Sequence, residues 1–330
     1  MSFPLSRRER LQAAIGGEAV DRVPVALWRH FPGDDQSPAD LASAVLGFQR
    51  QFDFDFVKLT PASSYCLRDW GAADVWQGNT EGTGEYTGRP IQAPGDWETL
   101  PILDPRAGSL GENFECLRLI GQALRDETPF IPTIFNPLSQ ARNLAGNSSL
   151  LDHMRGTPGA LHAGLETITL TAIRFIEEAR STGISGIFLA VQHASRLVLS
   201  EAEYREFGEP YDRRILQAAS DLWLNVLHLH GEAVMFDLLS QYPAAVINWH
   251  DREGGPSLAE GMARFKGAVC GGWRREETLM RGTPEQVRRE AEDAIAQTKG
   301  RRLILGAGCV TPIVTPLRNL RAARESAAPL

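Results

Sequence analysis

The sequence predicts a (β/α)8 barrel, in which eight parallel strands alternate with helices along the chain. Short apolar segments are separated by segments of helical periodicity, and strands that alternate with helices form parallel sheets. Eight such strands in 330 residues are typical of a barrel that folds as one domain. The alternative is an open, doubly wound sheet, which is disfavoured because no glycine-rich phosphate loop follows the first strand.

The first β-α-β unit follows from residues near the N-terminus. A helix is predicted between Arg7 and Gly17, where apolar residues recur at helical spacing until two glycines end the run. An apolar strand follows at 23–28, and a second helix begins at about Ser37, a residue type that caps helix N-termini. The next strand is predicted at 54–60.

Residues 62–110 interrupt this alternation with an irregular stretch rich in Gly, Asp and Trp. Long excursions in compact domains usually line a site or form a subdomain. Strands are then predicted at 129–135, 186–191, 224–231, 244–249, 268–272 and 302–306. Helices are predicted at 111–126, 138–155, 157–182, 200–219, 232–240, 257–265, 284–298 and 316–324. We therefore expect one barrel domain over residues 1–330, with the excursion near the barrel mouth.

Composition excludes several classes of protein. The net charge of -7 disfavours a general nucleic-acid or anionic-membrane partner. The N-terminus lacks the apolar core of a signal peptide, and no apolar run predicts a transmembrane helix. The four cysteines show no CxxC spacing, which is typical of free thiols rather than a disulfide framework. We expect a cytoplasmic protein.

Two histidines end the fifth predicted strand. Residues two apart on a strand point to the same side, so His228 and His230 project together. Two imidazoles at this spacing suit a metal ion, although an isolated His-X-His is more often a pair of polar residues that closes a strand. Three further histidines, His30, His193 and His250, also follow strand ends. Because strand ends meet at the active-site face of a barrel, this placement favours a functional site.

Cys309 follows the eighth predicted strand. One interpretation is a small, buried apolar side chain. Together with His228 and His230 it would give a His/His/Cys set with an open fourth position, which is typical of catalytic zinc. The open position could activate a sulfur nucleophile or a water molecule.

Other strand ends supply candidates for substrate binding and proton transfer. His250 and Asp251 could transfer protons, although adjacent strand residues face opposite ways. Cationic side chains could bind a carboxylate or a phosphate, or could be solvated charges at the rim. The catalytic candidates are His193, His250 and Asp251. The candidates for substrate binding are Arg29, His30, Asp55, Lys58, Asn136, Gln192, Trp249 and Arg274.

Both ends of the chain resemble the uroporphyrinogen decarboxylase superfamily. The segments that carry the resemblance are residues 8–11 and 21–25, 282–287, 303–306 and 315–320. The resemblance implies a (β/α)8 barrel. It also implies one of two chemistries, which are cofactor-free decarboxylation of uroporphyrinogen and methyl transfer by zinc enzymes that take a methyl group from a corrinoid protein.

The decarboxylase pattern of the superfamily fits this chain poorly. Its first-strand motif has two arginines, of which Arg29 is retained and Gly33 replaces the other. Its acidic residue maps to Asp55 only with a one-residue slip. Its tyrosine, serine and histidine positions are occupied here by Asn143, Gln192 and Ala307.

The methyltransferase pattern has His-X-Cys on one strand and a distant Cys near the C-terminus. His228 and Cys309 match its first and last ligands, and His230 stands where the family has Cys. We therefore predict a zinc-dependent methyltransferase or demethylase, with a small-molecule substrate and a small-molecule or corrinoid methyl donor. Relatives imply a corrinoid protein partner and a homodimer. The alternative is a metal-free decarboxylase in which Arg29 and Asp55 bind a carboxylate. A non-enzymatic binding role is weaker, because binding alone does not need so many titratable groups.

Overall fold

Seven strands form one parallel sheet in the computed structural model, which describes residues 4–125 and 127–327. The strands in chain order are β1 (Val57–Leu59), β2 (Ala73–Val75), β3 (Glu85–Gly88), β4 (Phe130–Phe135), β5 (Phe188–Val191), β6 (Val226–Leu229), β7 (Val246–Trp249), β8 (Ala268–Trp273) and β9 (Leu303–Ala307). β1 and β4–β9 pair in parallel in chain order, whereas β2 and β3 form a separate antiparallel pair. The predicted parallel α/β class is confirmed.

Every residue of the seven parallel strands is buried. Such near-continuous apolar strands are typical of parallel sheets that are covered on both faces. Polar residues therefore concentrate where the strands end, and the carboxyl ends of parallel strands lie on one side of the sheet.

Five of the twelve helices in the described residues begin at a serine or threonine that caps the first turn. The twelve helices are α1 (Arg7–Gly16), α2 (Pro38–Phe52), α3 (Gly108–Leu124), α4 (Pro137–Ala145), α5 (Asn147–Gly156), α6 (Pro158–Ala179), α7 (Glu201–Phe207), α8 (Glu209–Ala218), α9 (Phe236–Leu239), α10 (Leu258–Arg264), α11 (Pro284–Thr298) and α12 (Leu317–Glu325). Ser6, Ser37, Ser200, Ser257 and Thr283 each accept a hydrogen bond from a backbone N–H in the first turn. Each such cap stabilises its helix by about 1 kcal/mol.

Two of the predicted helices are each divided into two, and a third predicted helix is much shorter than expected. The helix predicted at 138–155 breaks at Gly146, whose φ of 91° is outside the helical range. The helix predicted at 200–219 breaks at Gly208, and Pro210 lies in the first turn of α8. Of the helix predicted at 232–240, only α9 forms. The predicted helix end at residue 126 lies outside the described residues.

The segment predicted as the first strand lies between the two edge strands of the parallel sheet. Val25 forms a single parallel bridge with Leu305 of β9, and the N–H of Leu305 donates to the oxygen of Pro24 at 2.8 Å. On the other side, the N–H of Asp55 donates to the oxygen of Val25 at 2.9 Å. Pro24 has no N–H to donate, which limits pairing here. A full eighth strand is not formed in the described chain, so the closed barrel stays a prediction at this point.

The excursion at 62–110 contains the β2–β3 pair, which the sequence did not predict. The loop between these strands contacts the carboxyl side of the sheet. The oxygen of Thr80 accepts from the N–H of Ile313 at 2.8 Å, and Glu81 pairs with Arg275 at 2.9 Å. At Gly82, with φ of 78°, a Cβ would lie 2.8 Å from the Cβ of His30, so only glycine permits this approach.

Among the described helices, none is long and apolar enough to cross a membrane.

Candidate metal centre

Three histidines and one cysteine meet at the carboxyl ends of β6, β7 and β9. His228 belongs to β6, His230 and His250 directly follow β6 and β7, and Cys309 lies two residues beyond β9. One potential ligand atom from each residue lies within 4.8 Å of the others. Nitrogen and sulfur atoms in this number form typical zinc sites. The structure thus brings together His228, His230 and Cys309, as predicted, and adds His250.

Asn248 fixes the orientation of the His228 ring. The Asn248 side-chain nitrogen donates to the backbone oxygens of Cys270 and Ala307, both at 2.9 Å. Its Oδ1 therefore faces Nδ1 of His228 at 2.7 Å, and Nδ1 must carry the hydrogen. The Nε2 atom of His228 is buried and has no hydrogen-bond partner in the described chain. A buried acceptor without a partner is costly, and a metal ion would satisfy it.

Glu253 has the same role toward His250. Its Oε2 lies 2.7 Å from Nδ1 of His250, and this hydrogen bond lowers the pKa of Glu253. Nε2 of His250 is also buried without a partner among the residues described. A carboxylate on the far side of the ring is a common partner of metal-binding histidines, because it orients the ring and makes it more basic.

Gly308 allows Cys309 to reach the cluster. A Cβ at Gly308 would lie 2.8 Å from the Cα of His250, so a larger residue would separate the two segments. The Sγ of Cys309 lies 3.6 Å from Nδ1 of His230. Burial opposes ionisation of this thiol, but charge interaction with the neighbouring imidazoles, led by His228, lowers its pKa well below the usual value. A thiol that ionises readily is a better metal ligand.

A cavity that opens to solvent lies beside the cluster, and its empty volume of about 520 Å³ includes part of that open space. Its wall includes His228, His230 and Cys309, and it also includes three predicted substrate residues, His30, Lys58 and Gln192. Glu81 and Thr83 of the β2–β3 loop complete part of the wall. A concave space lined by a few convergent polar groups is typical of a small-molecule site.

Asp55, another predicted substrate residue, lies on the opposite side of the sheet. Its fully buried carboxylate accepts hydrogen bonds from Arg10 at 2.8 Å, from Arg22 at 2.7 and 2.9 Å, and from the N–H of Val25 at 2.8 Å. Both carboxylate oxygens are therefore occupied by protein donors. These hydrogen bonds hold residues 10–25 against the segment that precedes β1. Asp55 does not line the cavity.

Two predicted cations do not line the cavity. Arg29 donates to the oxygen of Ile313 at 2.9 Å, and its guanidinium lies 4.9 Å from the centre of the Phe31 ring. Arg274 pairs with Glu290 at 2.6 Å. The lining of the cavity includes neither side chain.

Asn136 and Trp249 make structural contacts. The side-chain nitrogen of Asn136 donates to Asp212 at 3.0 Å within a buried polar network. Trp249 is fully buried, and its Nε1 donates to the oxygen of Pro256 at 2.8 Å. Both therefore stabilise the loops and helices that follow the strands.

The other two catalytic candidates do not join the cluster. Nδ1 of His193 lies 3.3 Å from Oγ of Ser139, and burial lowers the pKa of His193 to about 3. Asp251 accepts from the N–H of Gly272 at 3.3 Å, and burial raises its pKa to about 7. The partner of His250 is Glu253 rather than the adjacent Asp251, as the alternation of strand residues allows.

Sequence reasoning missed Asn248 and Glu253. Asn248 lies two residues before His250, which places it on the same face of β7. Glu253 lies three residues after His250, within reach across a tight turn. A search for polar residues at these two spacings around each strand-end histidine would have found both.

Comparisons with known proteins match nearly the whole chain. The profile of the uroporphyrinogen decarboxylase (URO-D) family matches residues 6–329. A methylated-thiol–coenzyme M methyltransferase from Methanosarcina mazei is 25% identical and covers 96% of this chain and 87% of its own. A methylcobamide:CoM methyltransferase from Methanosarcina barkeri is 21% identical, and the match covers 96% of this chain and 95% of that enzyme.

A uroporphyrinogen decarboxylase from Saccharopolyspora erythraea is 29% identical, but the match covers only 46% of this chain and 42% of that enzyme. Among solved structures, a methyltransferase from Methanosarcina mazei superimposes with a TM-score of 0.85 at 20% identity and covers 98% of each chain. At that identity the superposition establishes a shared fold.

Proposed function

The chain belongs to the uroporphyrinogen decarboxylase family, as its sequence segments predicted, and we propose that it is a zinc-dependent methyltransferase. The observation that carries the proposal is the group of His228, His230, His250 and Cys309, whose ligand atoms lie within 4.8 Å of one another. The similarity to two enzymes named as methyltransferases, over nearly the full chain, supports the same chemistry.

We assign all four residues of this group to the metal. The sequence suggested three ligands and a proton-transfer role for His250. Its Nε2, however, is buried without a partner in the part of the chain that is described, while Glu253 occupies its Nδ1. When bound, zinc lowers the pKa of a thiol or water that joins it, and catalytic zinc can expand to five ligands.

The residues around the group prepare it for that role. Asn248 and Glu253 hold hydrogens at the Nδ1 atoms of His228 and His250, which leaves each Nε2 free. The ring of Phe188 stacks on His228 with centres 5.1 Å apart and excludes water from that side. The neighbouring cavity would position a small acceptor, and we propose a small-molecule or corrinoid methyl donor, the latter carried by a protein partner.

We further propose that the parallel sheet closes as an eight-stranded barrel. The support is the position of residues 24–26, which share backbone hydrogen bonds with Leu305 of β9 and with Asp55 before β1. Closure would fix the distance between β6 and β9, and therefore between His230 and Cys309.

The metal-free decarboxylase has less support. It needs Arg29 and Asp55 to bind a carboxylate together, but Asp55 is saturated by two arginines and Arg29 does not line the cavity. Matches to uroporphyrinogen decarboxylases cover between 41% and 59% of this chain, against 96% for the two methyltransferases. No contact in the described residues favours this alternative specifically.

The first test is metal content. We expect about one zinc per chain in native protein, and loss of most of it in His230→Ala and Cys309→Ser. His162→Ala, at a half-buried histidine on α6, is the matched control and should retain zinc. Elemental analysis and a metal-indicator titration measure the zinc content of the native protein and of each variant.

Methyl transfer from methylcobalamin to a thiol should then depend on the bound zinc. Protein that binds no zinc after incubation with it would contradict the proposal. Release of CO2 from a carboxylate substrate in excess chelator would support the lyase instead.

A further inference from the structure

Lys58 is a buried amine in the wall of the cavity and has no carboxylate partner among residues 4–125 and 127–327. Its side chain belongs to β1, and the residue is 7% exposed. Its Nζ donates to Oγ1 of Thr60 at 3.1 Å. An ammonium group has three N–H donors, so this single hydrogen bond leaves capacity for a ligand.

The position of Lys58 relates it to the metal cluster. Its Nζ lies 4.6 Å from the centre of the Phe188 ring, and the same ring stacks on His228. Because one aromatic side chain contacts both groups, a single small molecule in the cavity can contact both the amine and the cluster.

His30 provides a second, independent observation. It is 5% exposed and lines the same cavity. Its Nδ1 is buried without a hydrogen-bond partner in the described chain. Buried polar atoms are normally satisfied, so the unpartnered nitrogen of His30 and the spare N–H donors of Lys58, in the wall of one cavity, indicate a polar ligand.

A second buried cation near the cavity already has a carboxylate partner. Arg275, which also approaches Cys309, has Glu81 as its partner at 2.9 Å. The acid that lines the cavity is therefore already engaged, whereas Lys58 remains available. Cys309 is the charged neighbour of Lys58, and a bound metal would engage its thiolate, so a cation without a carboxylate partner matches one negative charge on a ligand.

We propose that Lys58 forms an oxyanion subsite beside His30, and that the molecule that approaches the metal cluster is small and bears one carboxylate or sulfonate. The reaction of this molecule rests on the proposed methyl transfer, but binding of its anionic group does not require the metal. The subsite therefore names a substrate class and can be tested separately.

The test compares matched probes by calorimetry at pH 6.5 on zinc-loaded protein. The probes are 3-mercaptopropionate, 3-mercaptopropane-1-sulfonate and the neutral 3-mercapto-1-propanol. Both anionic thiols should bind about 10- to 100-fold more tightly than the neutral thiol. The tighter of the two identifies the preferred anionic group.

Variants then assign the preference to Lys58. In Lys58→Met the affinity for the anionic probes should fall about 10- to 100-fold. The affinity for the neutral probe should stay within about twofold of the native value. Lys58→Arg should keep part of the preference, because it retains the positive charge. Lys266→Met, at an exposed lysine, is the control and should bind like native protein. A thermal melt of each variant reports whether it is folded.

Equal binding of charged and neutral probes by native protein, or an unchanged preference in folded Lys58→Met, would overturn the subsite. Propionate against 1-propanol repeats the comparison without a thiol. If propionate shows the Lys58-dependent preference while zinc is absent, the subsite stands and the metal proposal fails.

Discussion

The two ends of strand β1 differ in how buried charge is satisfied. Before the strand, the carboxylate of Asp55 accepts four hydrogen bonds, three of them from Arg10 and Arg22. Within the strand, Lys58 has one hydrogen bond, to Thr60. Protein groups supply all the hydrogen bonds of the Asp55 carboxylate. The Lys58 amine needs a ligand to use its remaining N–H donors. The amino side of the sheet is therefore built for stability and the carboxyl side for binding.

The largest expected effect is at the satisfied end. Asp55→Asn removes the charge that two buried arginines share, and an uncompensated buried charge should lower the free energy of unfolding by about 3 to 5 kcal/mol. Urea denaturation measures this change. Asp21→Asn, which removes the more exposed carboxylate on Arg10, is the control and should cost about 1 kcal/mol. Equal losses of unfolding free energy in Asp55→Asn and Asp21→Asn would contradict the view that the fully buried carboxylate contributes more stability.

At the unsatisfied end, removal of the charge should stabilise the protein. Burial lowers the pKa of Lys58 to about 7, so the native state holds its proton less tightly than the unfolded chain. Below pH 7 the charged amine is buried and the penalty is complete; it falls as pH rises from 7 toward the usual lysine value. Lys58→Met should therefore raise the free energy of unfolding by about 2 kcal/mol at pH 6, and by less at pH 9. A destabilised variant at pH 6 would show that Lys58 has a partner in solution.

A smaller effect is expected from the group that orients His250. Glu253→Gln keeps the shape but weakens the hydrogen bond to Nδ1, so zinc affinity should fall about 10-fold. Competition with a zinc indicator measures the affinity. Glu290→Gln, which alters the partner of Arg274 outside the cavity, should leave zinc affinity unchanged.

The smallest effect is a dependence of anion binding on pH. Because the pKa of free Lys58 is about 7, an anionic probe should bind about 10-fold more weakly at pH 8 than at pH 6.5, whereas the neutral probe should show no Lys58-dependent change. Cys309 and His30 face the same amine, so the comparison is repeated in Lys58→Met, where the anion-specific slope should disappear.

Much of the candidate site could be predicted from the sequence, because strand ends mark one side of a parallel sheet. The spacing of His228 and His230 gave their common direction, and the position of Cys309 after the last strand placed it nearby. The direction of other side chains could not be predicted as well. Lys58 and Arg29 both lie near strand ends, but only Lys58 lines the cavity, since that depends on the local twist of each segment.

The part of the fold that sequence reasoning missed depends on contacts between distant segments. The β2–β3 pair has only three and four residues per strand, too few for a clear alternation pattern. The contact of its loop with Arg275 joins residues 194 positions apart. The partial eighth strand has a similar cause, because the proline at position 24 reduces pairing in a segment whose apolar pattern resembles an ordinary strand.

The low pKa of Lys58 also has a consequence for covalent labelling. The chain contains three lysines, Lys58, Lys266 and Lys299. At neutral pH a large fraction of Lys58 is an uncharged amine, and an uncharged amine reacts with aldehydes. A small aldehyde that enters the cavity, followed by borohydride, should modify Lys58 in preference to the two exposed lysines, and mass spectrometry of the peptides would then report directly whether the cavity is filled.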